Sequence, residues 1–95
     1  MTTDLKARDH IKEMRWRIDE LDRELVKLLN RRAELVKEIG TAKKAAGIKV
    51  NDNPREQDVY RNIQSHNKGP LPEAELRAIY EHGIIPMMRK IQEPT

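Results

Sequence analysis

The sequence predicts an all-α fold of three helices, one long and two shorter, and three observations predict it. Apolar residues recur at alternating steps of three and four from Ile11 to Ala46, the period of one helix face, over about five heptads. No stretch alternates apolar and polar residues as a half-buried strand does. Gly47, Pro54 and Pro72 stand where helices would stop and start.

Helix 1 is expected over about residues 6–46. Its stripe reads Ile11, Met14, Ile18, Leu21, Leu25, Leu28, Arg32, Leu35, Ile39, Ala42, Ala46, and Gly47 supplies the stop. The segment Gly47 to Asn53 has no periodicity and reads as a connector. Helix 2 is expected over about residues 54–66, with Pro54 as its first residue and Asp52 or Asn53 as its N-cap. It is weakly apolar, offering mainly Val59, Tyr60 and Ile63. Asn67 to Leu71 is a turn, and helix 3 follows over about residues 72–92. Its expected face is Leu76, Ile79, Tyr80, Gly83, Ile84, Met87, Met88 and Ile91, with a kink where Pro86 removes a backbone donor.

Ninety-five residues, 37% apolar and 37% charged, give a single chain only a thin core. A helix of about 40 residues is roughly 60 Å long, and two short helices cannot cover that length. The stripe is therefore expected to be buried against a second copy of the chain. The absence of cysteine excludes disulfides and thiolate metal sites. No apolar run reaches the roughly eighteen residues that cross a bilayer. Met1 to Arg8 shows no apolar leader, so the chain reads as one cytoplasmic domain. A net charge of +3, with acids interleaved among bases, lacks the basic block that nucleic-acid binding needs. His10, His66 and His82 have no metal-ligand spacing and read as surface residues, so no metal is expected.

One position of the stripe is an arginine. Arg32 stands between Leu28 and Leu35, and no acid shares its line. A buried guanidinium is destabilising unless it is paired, which points to an anionic ligand. Lys43 follows on nearly the same line, about 20° round the helix and about 16 Å along it. The two side chains can reach toward each other around a small dianion. Arg15 lies on a neighbouring flank, about 25 Å from Arg32. It is out of reach within one chain, yet in an antiparallel dimer it approaches Arg32 of the other. Blander readings stay open. Arg32 can pair with an acid of another helix such as Glu56, Lys43 can extend to solvent, and Arg15 can be a solvated flank residue. Trp16 falls outside the stripe and reads as a half-exposed residue covered by the partner's third helix. The residues by themselves lead to a helical dimer with a candidate anion site.

Five motifs follow one another in order: Ile18-Asp-Glu-Leu-Asp22, Leu28-Leu-Asn-Arg-Arg-Ala-Glu-Leu35, Ile39-Gly-Thr-Ala-Lys43, Asp52-Asn-Pro-Arg-Glu56 and Ile84-Ile-Pro-Met-Met-Arg-Lys-Ile-Gln92. Each is weak, but the ordered set resembles the AroQ-type, all-helical chorismate mutase family over nearly the whole chain. The resemblance implies an intertwined homodimer with two identical, shared active sites. It implies conversion of chorismate to prephenate in phenylalanine and tyrosine biosynthesis, with no cofactor. On that pattern Arg32, with Arg15 from the other subunit, clamps the two substrate carboxylates. Lys43 and Gln92 donate to the ether oxygen of the breaking C–O bond. Glu56 accepts from the ring hydroxyl, assisted by the backbone at Asp52, and Arg55 stands beside the site as a neighbouring charge. Met88 departs from the pattern. The family often has a small hydroxylic residue four before the glutamine, so Met88 offers shape in place of a hydrogen bond.

That chemistry suits these residue types. The rearrangement needs no nucleophile, metal or proton transfer, only a substrate held in shape by cations on its carboxylates and donors aimed at charge developing on oxygen. An isochorismate-pyruvate lyase uses the same fold and clamp. The Asp52, Arg55, Glu56 run fits the mutase pattern better, and release of pyruvate from isochorismate tells the two apart. A non-catalytic dimerisation or adaptor module would hold Arg32 in a structural ion pair and would not need Lys43 and Gln92 with it. Arg32→Met separates these readings by melting and turnover assays. An adaptor should keep or gain stability, whereas an enzyme should lose activity as a folded dimer. The family includes fusions to other shikimate-pathway enzymes, and this chain leaves no room for a second domain. Control by aromatic amino acids would then come from a partner enzyme.

Overall fold

The computed structural model describes residues 2–93, with side chains described from Asp4, and every regular element among them is helical. In chain order these are α1 (Thr2–Ala46), α2 (Asn53–His66), α3 (Glu73–Ile79), a π-helical turn (Tyr80–Ile84) and α4 (Ile85–Gln92). The last three follow without a break and make up the expected third helix, with a widened turn in its middle. The chain divides into two compact units, Met1–Arg32 and Ala33–Thr95.

The first unit is the N-terminal part of α1. Asp4 lies in its first turn, where a negative charge complements the helix dipole. Arg17 donates to Glu13 one turn away at 3.0 Å, a surface pair that adds a few tenths of a kcal/mol. The stripe is uncovered. Ile11, Ile18, Leu21, Leu25 and Leu28 are between 47% and 62% exposed. Trp16, on its own flank, is also largely exposed.

The second unit holds the rest of α1, whose last turns meet the end of α4, together with α2 and α3. Gly47 ends α1 in the left-handed region, at φ 69°. Its N–H donates to the Lys44 carbonyl at 3.3 Å, and that of Ile48 to Lys43 at 2.8 Å, which satisfies two of the carbonyls a helix end leaves open. Of the two candidate caps for α2, Asp52 is used: its Oδ1 accepts from the Arg55 N–H at 3.0 Å. The turn after α2 is tied by Asn67, whose Nδ2 donates to the Leu71 carbonyl and whose Oδ1 accepts from Gly69. Pro72 caps α3 from outside, one residue earlier than the helix proper.

The core of this unit is small: Val36 and Gly40 from α1, Tyr60 from α2, and Ile85 and Met88 from α4 are buried. Arg77 of α3 lies 4.2 Å over the Tyr60 ring, a cation–π contact that joins α2 to α3. The apolar face expected for the third helix needs correction. Ile79 and Met87 are 54% and 42% exposed, while Ile85, absent from that face, is buried. For Met87 and Ile85, which follow it, the π turn is the cause. The Ile85 N–H donates to the Tyr80 carbonyl, five residues back. Pro86 has no N–H with which to continue the ordinary ladder. One extra residue in a turn shifts the helical phase by about 100°, so Ile85 and Met88 face inward where an unbroken helix would carry Ile84 and Met87.

Candidate active site

Within the second unit the last turns of α1 meet the end of α4. Gly40 sits where a side chain has no room. A Cβ built on it would lie 3.1 Å from the Gln92 carbonyl carbon and 3.2 Å from Gln92 Cγ, and would overlap the carbonyl oxygen. Glycine inside a helix costs about 1 kcal/mol relative to alanine. Here its benefit is contact between the two backbones. One turn further on, Lys43 is half-buried, and its Nζ donates to Gln92 Oε1 at 2.9 Å and to the Val50 carbonyl at 3.1 Å. The lysine thereby ties together α1, the connector and α4.

The chemistry of that pair follows from donor counting. An ammonium has three hydrogens and accepts nothing. Two of the three are engaged by Gln92 and Val50, which leaves one for a ligand. Because lysine cannot accept, the Gln92 oxygen must face it and the amide NH₂ must face away. Among the described residues, nothing else engages the third N–H of Lys43 or the NH₂ of Gln92. Two fixed donors, one of them charged, suit an oxygen on which negative charge grows.

Glu56 lies in the first turn of α2, and its side chain is 22% exposed. It is engaged by Arg89 of α4, three residues before Gln92. The acid that the sequence offers as one partner for Arg32 is thus an Arg89 partner. Asp52 and Arg55 are exposed, and the Glu56 N–H donates to the Asp52 carbonyl at 3.1 Å. Met88, one turn before Gln92, is 4% exposed and packs into the core. Arg15 is exposed and Arg32 half-buried, both in the first unit. The histidines are exposed, and among the described residues no cluster of three or more His, Asp or Glu is placed to hold a metal. No helix among them is long and apolar enough to cross a membrane.

Sequence reasoning missed three participants: Arg89, the Val50 carbonyl and the placing role of Gly40. Only the glycine left a signal, since a glycine inside an otherwise strong helix asks for a close backbone approach.

Residues 14–93 match the family described as chorismate mutase type II. This chain belongs to that family. Among curated relatives it is 37% identical over 80 residues to the bifunctional chorismate mutase/prephenate dehydratase of Aquifex aeolicus, covering 80% of this chain and 22% of the relative. It is 36% identical over 56 residues to the chorismate mutase of Methanocaldococcus jannaschii, covering 59% of this chain and 57% of the relative. The chain thus spans less than a quarter of the first protein's length and just over half of the second's. A solved structure of chorismate mutase (Form II) from Thermus thermophilus superposes with a TM-score of 0.83 at 28% identity, covering 87% of this chain and 93% of that one. Form I from the same organism gives a TM-score of 0.79 at 29% identity, covering 83% and 98%. The match to the type II chorismate mutase family takes in Lys43, Asp52, Arg55, Glu56, Met88 and Gln92, and also Arg15 and Arg32.

Proposed function

We propose that this chain is a chorismate mutase, an isomerase that converts chorismate to prephenate. The carrying observation is the bond from Lys43 to Gln92 Oε1, which leaves one ammonium hydrogen and the amide NH₂ without a partner among the described residues. In the rearrangement the ether C–O bond breaks as a new C–C bond forms within one molecule, and no proton changes hands. Charge grows on the ether oxygen as its bond to carbon lengthens. Lys43 and Gln92 donate to that oxygen, fixed beforehand by their bond to each other. Arg32, with Arg15 of a second copy, holds the two carboxylates, which keeps the reacting carbons close and removes most of the entropic barrier. Glu56 accepts from the ring hydroxyl near the Asp52 backbone, with Arg55 outside it and Met88 shaping the wall.

The reading includes a homodimer in which two copies cover each other's long helices and share their sites. Its support is the exposed row that continues through Leu35 and Ile39, at 56% and 47% exposure. A partner enzyme acting on the product is a further part of the reading. It is supported by the relative whose name joins chorismate mutase to prephenate dehydratase.

The test is incubation of the purified chain with chorismate, following loss of its ultraviolet absorbance and identifying the product. Prephenate supports the reading. Release of pyruvate from isochorismate, with chorismate untouched, moves the assignment to a lyase. A folded protein that consumes neither is a binding module.

The pH profile is a second check. A glutamine amide does not titrate, so turnover is expected to stay flat between about pH 6 and pH 8. Gln92→Glu should change this. An ionised carboxylate only accepts, whereas its protonated form donates. That variant should be nearly inactive at neutral pH and gain activity as the pH falls toward the carboxylate range. A flat profile for Gln92→Glu would remove residue 92 from the donor role.

A further inference from the structure

We propose that Arg89 is a positioning residue for substrate recognition: it holds one oxygen of the Glu56 carboxylate and balances its charge, so that the other oxygen meets the substrate hydroxyl. The proposal rests on the chorismate mutase reading, because it needs a ligand that carries both carboxylates and a hydroxyl.

Four ion pairs occur among the described residues, and three of them join residues three or four apart on one helical run. The pair of Arg89 with Glu56 is the fourth, and it alone ties two separate segments, the start of α2 and the end of α4. It is also the least exposed, with side chains 40% and 22% accessible. Arg89 lies one residue after Met88 and three before Gln92. On a helix, positions three apart are neighbours, so this ion pair runs beside the Lys43–Gln92 pair along α4.

Two physical consequences follow. A glutamate at the first turn of a helix has three rotatable bonds, and a guanidinium on Oε1 restricts them and leaves Oε2 as the acceptor. A dianionic substrate would also meet repulsion from an uncompensated Glu56, and Arg89 cancels that charge. Neither effect bears on the breaking bond. Both act equally on the bound substrate and its transition state, so both belong to KM more than to kcat.

The experiment measures kcat, KM and melting temperature with chorismate for wild type, Arg89→Met, Arg89→Lys, Glu56→Gln and the two Arg89 variants combined with Glu56→Gln. Arg89→Met is expected to raise KM about tenfold with kcat changed less than about threefold, the pattern of lost uniform binding. Arg89→Lys keeps the charge but loses the planar fork, and should raise KM about threefold. In the Glu56→Gln background, where Arg89 can still hold an oxygen but has no charge to balance, both increases should shrink. An unchanged KM in Arg89→Met, or the same increase with Gln at 56, overturns the proposal. If Arg89→Met does not fold, Arg89→Lys decides by the same comparison. A wild type that consumes no chorismate overturns the mutase reading and this proposal with it. A wild type that turns over chorismate beside an indifferent Arg89 series overturns the proposal alone.

Discussion

Lys43→Met is expected to lower kcat about a thousandfold or more, with the helices intact. Methionine has nearly the length of lysine and none of its hydrogens, so the substitution removes donors and little volume. Three contacts go at once: the free N–H, the bond to the Val50 carbonyl and the bond to Gln92 Oε1. Removing a single donor from a site of developing negative charge typically costs a factor of about 10² to 10³ in kcat. The expected loss is at the upper end or beyond because Gln92 suffers too. Without a partner that can only donate, its amide is free to turn its oxygen toward the substrate, which exchanges a favourable donor for a repulsive acceptor.

Stability should move much less. Lys43, Val50 and Gln92 are all half-buried, so water can replace the lost bonds, and the net cost is about 1 kcal/mol. The measurement is kcat from the decay of chorismate absorbance, beside far-ultraviolet circular dichroism and melting of the same preparation. Retention of more than about a tenth of wild-type kcat would take the lysine out of the chemistry, since a charged donor contributes more than that.

The parts of this fold that the sequence disclosed are those governed by short-range chemistry. Gly47 stops α1 because only glycine takes φ 69° without strain, and Pro54, second in α2 after Asn53 and not first as expected, fits there because the missing N–H is one a helix start does not use. The long stripe is legible for a different reason. Its period repeats often enough that tertiary context cannot reverse it. The choice between Asp52 and Asn53 as cap was not legible, because both side chains can cap and the backbone trace decides.

The third helix shows where reading by period fails. Pro86 announced an irregularity, and a kink was its natural reading. The chain widens the preceding turn instead, and from there on every residue is rotated by one position. The misassigned face, with Met87 inward and Ile85 left off it, is that one-residue shift. The meeting of Lys43 with Gln92 is legible only through the family resemblance, since no spacing rule links residues 43 and 92. Arg89 escaped notice because a partner for Glu56 could have come from any basic helix face, and 19 lysines and arginines compete in this sequence.

Gly40→Ala should also separate activity from stability, through the backbone instead of through a donor. The added methyl would overlap the Gln92 carbonyl oxygen and lie 3.1 Å from its carbon. Backbone atoms of two packed helices cannot swing aside as the tip of a side chain can. Carbon and oxygen settle at about 3.3 to 3.6 Å, so the end of α4 must back away from α1. The Lys43–Gln92 bond, now 2.9 Å, cannot survive that retreat unchanged. Overpacking costs about 1 to 3 kcal/mol, while alanine returns about 1 kcal/mol of helix propensity to α1. The net destabilisation is therefore small, and the melting temperature should fall by only a few degrees. Turnover should fall about a hundredfold, since misplacing a catalytic group by roughly 1 Å has an effect of that size. Gly40→Ala combined with Gln92→Ala sharpens the test. If the glycine acts through Gln92, the double variant loses little beyond Gln92→Ala alone. Full additivity of the two losses would mean that Gly40 matters to the fold and that some other contact sets the position of Gln92.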